Sequence, residues 1–306
     1  MNINDTVQAA LGFVESQTAY IETAVNKRKL PSIQYMNFIP IDTSAHPFAK
    51  TVTYYSQDQF GKAKFINGNA DSVPMAGTES ARHETEVFMA GIGYGFGLED
   101  IEEARRLNKP LMNDDAMAAR RAYEEFVDEM LLFGSQEKGT EGFLNSSKVA
   151  DTAAATGDWT NATEDQILED INRALRGVAN DTGYTALANT LLMPYDELDY
   201  LATNRLGDTQ STILEFLRRN NTFKAMTGSD LEIQAVRRLN GMGAGGTNRM
   251  LAYNKNPQTV KAHIPMPHRF LAPFQKSPLR IEIAGIFRLG GVDWRYPREA
   301  RYVDGI

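Results

Sequence analysis

The densest run of chemically suggestive residues is Gly241-Met242-Gly243-Ala244-Gly245-Gly246, which matches G-x-G-x-x-G. That pattern cradles a pyrophosphate only where a strand enters it and a helix leaves it, so that the helix N-terminus faces the phosphates. Here Arg249-Met250-Leu251-Ala252-Tyr253 follows and reads as strand. A flexible loop around Gly241, Gly243 and Gly246 is therefore expected, with no cofactor. The histidines are His46, His83, His263 and His268. A zinc site needs three or four convergent ligands. His263 and His268 are separated by Pro265 and Pro267, which spoils a shared helical face, so structural histidines and no metal are expected. There is no cysteine, no Gly-x-Ser-x-Gly turn and no G-x-x-x-x-G-K-[ST] loop. Neighbouring acids are frequent, as at Glu124-Glu125 and Asp128-Glu129. Adjacent positions on a helix diverge, and Glu125 and Glu129 share their face with Arg121. The pattern predicts an ion-paired surface rather than a general acid and base, so no catalytic residue is assigned.

Composition supports a structural reading. The 306 residues are 42% hydrophobic and 23% charged, with a net charge of -7. The length suffices for one large domain or two lobes with a proper core. The absence of cysteine excludes disulfides and thiolate metal sites, so stability must come from packing and from contacts between chains. Proteins that grip nucleic acid by its phosphates show a basic face. The basic residues here are scattered, so only loose contact with DNA is expected. No apolar run approaches the ~18 residues of a membrane span. The first twenty residues lack the basic-then-apolar layout of a signal peptide.

Patterning then supplies the elements. Residues 1–24 have helical spacing at Val7, Ala10, Leu11, Val14 and Ile21. Ile33 to Ala49 is apolar but aperiodic, with Pro40 and Pro47, and reads as an extended arm lying on another surface. Thr51–Ser56 and Ala63–Ile66 are strand-like, and Gly68, Asn69, Asp71, Pro74 and Gly77 mark an irregular tip. The return is a long strand over Thr85–Gly97, with Gly91, Gly93, Gly95 and Gly97 on one face. A glycine face weakens a strand, so close packing against that backbone is expected. A helix is predicted over Leu98–Leu107, and a longer one over Asp114–Phe133, capped by Asn113 and closed by Gly134. Gly139 to Ala155 reads as loop. Thr163-Glu164-Asp165-Gln166 reads as a capping box, opening a helix that buries Ile167, Leu168, Ile171, Leu175 and Val178. A buried strand at Thr190–Met193, short helices over Tyr195–Ala202 and Thr209–Arg219, and strands over Leu231–Leu239 and Asn248–Tyr253 follow. Arg280–Leu289 and Val292–Tyr296 alternate around Gly290-Gly291 as a hairpin. A two-stranded ribbon cannot bury both faces and is marginal alone, and its open edges invite pairing with other chains.

This order of arm, ribbon, long helix, compact α/β section and closing hairpin resembles the major capsid proteins of tailed phages, the Hong Kong-type capsid fold. Gly142-Phe143-Leu144-Asn145 is similar to the turn that follows the spine helix in that family. The resemblance implies an α+β fold with an N-terminal arm over 1–49, an extended β-ribbon loop over 50–84, and a peripheral domain over 85–157 with its spine helix at 114–133. It implies an axial domain over 158–264 and a return to the peripheral domain over 265–306. It also implies self-assembly into hexamers and pentamers of an icosahedral shell enclosing a phage genome, built in the host cytoplasm. A portal protein, a separate scaffolding protein and decoration proteins are implied partners. Phe60, Lys62, Lys64, Arg120, Arg121, Glu124 and Glu125 become expected contacts between subunits, and Gly241, Gly243 and Gly246 an axial loop. Lysine–asparagine cross-linking is not expected at Lys62 or Lys64. Two rival readings remain: an encapsulin-type shell around protein cargo, and a soluble two-carboxylate glycan hydrolase.

Overall fold

The computed structural model describes residues 32–65, 73–97, 99, 101 and 112–306. The helix read over 1–24, most of that over 98–107, and the turn at 66–72 lie outside the described residues.

Of the stretch Ile33–Ala49, the part up to Asp42 packs on its own body instead of lying extended on another surface, while most of Thr43–Phe48 is exposed. Tyr35–Phe38 forms a short helix, α1, followed by a two-residue strand β1 at Ile41–Asp42. Tyr35, Phe38 and Ile39 are buried. The tyrosine and phenylalanine supply the anchoring area that the aperiodic pattern concealed.

Strands β2 (Thr51–Phe60) and β3 (Gly77–Gly91) form the ribbon, in antiparallel register from Thr51 opposite Glu86 to Phe60 opposite Gly77. The outgoing strand is thus longer than its β-branched half, and Ala63–Phe65 is not strand. The returning strand starts eight residues before Thr85, at Gly77. It breaks after Gly91 and resumes as β4, Tyr94–Gly97. The register is unchanged across the break, with Ile286 opposite Gly91 and Ile283 opposite Tyr94. The cause is His268, whose Nε2 lies 3.1 Å from the Ile92 carbonyl oxygen and takes the place of a ladder partner. The glycine face meets the backbone that its composition demanded. A Cβ on Gly93 would stand 2.3 Å from the Ile283 carbonyl oxygen, and one on Gly91 2.7 Å from that of Gly285.

The long helix α2 spans Met112–Phe133, so Asn113 falls inside it rather than capping it. Its end is closed by the Gly-Phe-Leu-Asn turn. Asn145 Nδ2 donates to the Phe133 carbonyl (2.9 Å), while its Oδ1 accepts from the Gly142 amide (2.8 Å). Gly142 has no room for a side chain, because a Cβ would meet Leu132 O at 2.4 Å. Phe143 and Leu144 plug the core beneath. Short strand β5 (Gly134–Ser135) follows α2, and the region read as loop holds β6 (Thr140–Glu141) and β7 (Ala150–Ala153).

Helix α3 (Glu164–Asp181) opens with the predicted capping box and buries the five predicted apolar residues. After β8 (Thr190–Met193) come α4 (Tyr195–Thr203), α5 (Ile213–Arg219) and α6 (Thr222–Thr227). The strand read over 231–239 is only β9, Glu232–Ala235, and a 3-10 turn follows at Arg237–Leu239. The remaining strands are β10 (Arg249–Tyr253), β11 (Val260–His263), β12 (Met266–Phe270), β13 (Phe274–Ser277), β14 (Arg280–Ile283), β15 (Gly285–Gly290), β16 (Val292–Trp294) and β17 (Ala300–Asp304).

The hairpin expected around Gly290-Gly291 does not form. β15 pairs with β3 and β12, whereas β16 pairs with β11 in another sheet. Gly290 lets the chain cross between the sheets, since a Cβ there would press on His263 Cβ at 3.1 Å. A five-stranded sheet, β7-β17-β10-β8-β9, divides two cores. Alternation along β10 sends Leu251 and Tyr253 into the core under α2, and Met250 and Ala252 into the core under α3.

Candidate assembly surfaces

Beyond its root the ribbon lies open. Val52, Tyr54 and Ser56 are half-buried, but every strand residue from Gln57 to Phe60 is exposed. The tip displays Phe60, Phe65, Val73 and Met75, the phenylalanine at 65 fully accessible. Monomers seldom display apolar clusters of this kind unless something covers them. Lys62 and Lys64 just precede Phe65 and are exposed. The outer edge of β2 has no strand partner among the described residues.

The root is held by charge and stacking. Arg295 lies over the Tyr54 ring at 4.6 Å, and His83 stacks on the same ring at 4.8 Å. Arg295 in turn reaches Asp293 (3.3 Å). His263, fully buried, sits 3.7 Å from Asp293 and 3.8 Å from Asp42. Lys261 bonds Asp42 at 2.8 Å. The Lys261 ammonium, helped by the Ser44 hydroxyl, holds the Asp42 carboxyl well below the usual range. Burial pushes Asp293 up, but His263 and Arg295 outweigh it and keep that carboxyl below its ordinary value. This network ties β1 and the ribbon root to β11 and β16. None of it was legible in the sequence, where the histidines looked isolated.

The charged residues of α2 divide. Arg121 bonds Glu125 at 2.8 Å and Arg120 approaches Glu124 at 3.6 Å, each one helical turn apart. Glu124 also accepts from the Tyr35 hydroxyl (2.8 Å). The four residues expected to contact neighbours thus hold partners within their own chain. Asp128, read as part of the charged stripe, is buried instead. It accepts from the amides of Gln34 (3.0 Å) and Tyr35 (2.9 Å) and meets Arg238 at 3.3 Å. It anchors α1 to the long helix.

The glycine run is a loop followed by strand, as expected. Gly241, Gly245 and Gly246 have positive φ (68°, 71° and 81°), which only glycine adopts freely. Gly243 instead leaves no space, because a Cβ would stand 2.6 Å from Thr247 Oγ1. The geometry for a pyrophosphate is absent, since β10 rather than a helix follows. The loop is fastened below by Asp304, which accepts from the Ala244 amide (3.0 Å) and takes the Arg249 guanidinium through two bonds (2.6 and 2.8 Å). Among the described residues no cluster of three or more His, Asp or Glu is placed to hold a metal ion. No described helix is long and apolar enough to cross a membrane.

Solved capsids share this arrangement of ribbon, long helix and divided core. The capsid of Myoviridae phage XM1 superposes with a TM-score of 0.80 at 16% identity, covering 95% of this chain and 98% of that one. The GTA capsid in its native particle gives 0.64 at 9% identity (96% and 98%), and Mycobacterium phage Bobi 0.61 at 16% (94% of each). No curated protein matches the sequence. The model of the major capsid protein family matches residues 61–306, and the chain belongs to that family. It is a major capsid protein of the tailed-phage type, a structural subunit of a virion shell; the encapsulin-type reading is not favoured.

Proposed function

We propose that this chain assembles into hexamers and pentamers of an icosahedral shell around a phage genome, with each ribbon lying across a neighbouring copy. The carrying observation is the exposed ribbon: two strands that, among the described residues, pair only with each other beyond the root, tipped with Phe60, Phe65, Val73 and Met75. Burying that tip on another copy supplies roughly 25 cal/mol per Å2 of apolar area removed from water. Summed over many copies, weak contacts make a stable lattice. In this reading 1–49 is the arm, with its 33–42 part rooted in the body, and 50–84 is the ribbon loop. Residues 85–157 and 265–306 form the peripheral domain and 158–264 the axial domain, whose loop at Gly241, Gly243 and Gly246 lies towards the capsomer centre.

Phe60, Lys62 and Lys64 are the contacts this arrangement uses first. Arg120, Arg121, Glu124 and Glu125 set register between neighbours by exchanging their intrahelical partners, since pairs one turn apart are worth only a few tenths of a kcal/mol, and Glu124 keeps its bond from Tyr35 meanwhile. Portal, separate scaffolding and decoration proteins complete the particle. Assembly proceeds in the host cytoplasm, and the packaged DNA is touched loosely, in keeping with the net charge of -7. Deleting Phe60 to Pro74 tests the mechanism. The expected product is a soluble, folded subunit that forms no shells in negative-stain micrographs. Intact shells from the deletion would overturn it.

A further inference from the structure

Both ends of the glycine loop are held by two adjacent acids at the start of α4. Asp196 accepts from the Asn240 side-chain amide at 2.9 Å. Glu197 accepts from Asn248 Nδ2, and Asn248 Oδ1 in turn accepts from the Gly241 amide at 2.9 Å. Glu197 is only 9% exposed, and its Oε2 is buried with no hydrogen-bond partner. Among the described residues no cation pairs with it. The charged groups that face it are acids: Asp196 on its own helix and Asp158, which caps the 3-10 turn Trp159–Asn161 before α3. The nearest guanidinium on the strand leaving the loop, that of Arg249, is committed to Asp304. A buried carboxylate helped only by the Asn248 amide and its own backbone N–H, with an orphan oxygen and two acidic neighbours, is poorly compensated when ionised.

We propose that Glu197 is a proton-operated catch for the Gly241–Gly246 loop, closing it when protonated and loosening it when ionised. The sign follows from linkage. Burial, reinforced by Asp196 and Asp158, raises the Glu197 carboxyl above its ordinary value despite the Asn248 bond. The closed loop therefore binds a proton more tightly than the open one. Closure is favoured at low pH and is lost as pH rises through the closed-state value, which burial holds above the ordinary carboxylate range. Protonation also removes the charge from the orphan oxygen.

The device stands on the subunit alone; its consequence for particles rests on the proposed placement of this loop at the capsomer centre. Amide hydrogen exchange of the full-length chain, corrected for intrinsic rates, tests the first part between pH 4.5 and 8. Protection of loop amides, that of Gly241 foremost, rises several-fold as pH falls. Glu197→Gln, neutral at every pH, abolishes that dependence and stays protected. Asn248→Ala leaves the acid in place but unfastens Gly241 at every pH. Loop protection that does not vary with pH, that falls on acidification, or that keeps its slope in Glu197→Gln overturns the proposal. Assembled particles separate the two claims. If the loop responds in the subunit but the entry of a small dye into particles is unchanged by pH, the catch stands and the placement at the capsomer centre falls.

Discussion

Single side chains decide how the N-terminal stretch joins the body. Asp128 is buried with two amides and a guanidinium on it. Asp128→Ala strands those donors, so the unassembled subunit loses about 3 kcal/mol in urea unfolding, the range for breaking a buried charge cluster. Lys261 acts on acid stability. Because it holds Asp42 below the ordinary carboxylate range, the pair stabilises the fold above about pH 4, and that contribution is lost as pH falls through the depressed folded value. Lys261→Met removes about 1–2 kcal/mol at neutral pH, and the difference from wild type vanishes in strong acid. A urea series across pH reads both. Arg249 and Asp304 form a two-bond buried pair. Arg249→Lys keeps the charge but not the planar fork, and lowers the melting temperature by several degrees.

At the level of elements, packing outranks local pattern wherever glycine or a polar side chain intervenes. Helix α3 was legible because capping box, spacing and burial agree. The glycine face of the returning strand was legible too, since only a close neighbour explains glycine at alternate positions. Gly93→Ala puts a methyl group onto the Ile283 carbonyl and costs about 3 kcal/mol or more, measurable as loss of soluble subunit. Other features were hidden. The break at Ile92 depends on His268, distant in sequence, reaching a single carbonyl. The crossing at Gly290 looks like a hairpin because its two strands alternate, and only their separate partners β3 and β11 reveal otherwise. Asp128 was misjudged because charge on a helix is usually solvated, and its partners lie over ninety residues away. Glu197 gave no signal, because nothing local marks a carboxylate as lacking a cation.

Across the whole molecule, the order of arm, ribbon, long helix and divided core was the informative signal, and no single motif carried it. The family match and the shared fold bear out the capsid reading drawn from that order. The contacts between copies depend on surfaces that only a lattice brings together, and for these the exposed ribbon is the guide. The two cores meet on one sheet, and its strand β17 serves both. Ala300 and Tyr302 point into one core, and Val303 into the other. β17 lies between β7 and β10, well inside the five-stranded order, although it is made after both. During synthesis neither half can therefore finish before Ala300–Asp304 leaves the ribosome. A chain stopped short of that point lacks the one strand on which both cores close, so both halves are left unfinished together.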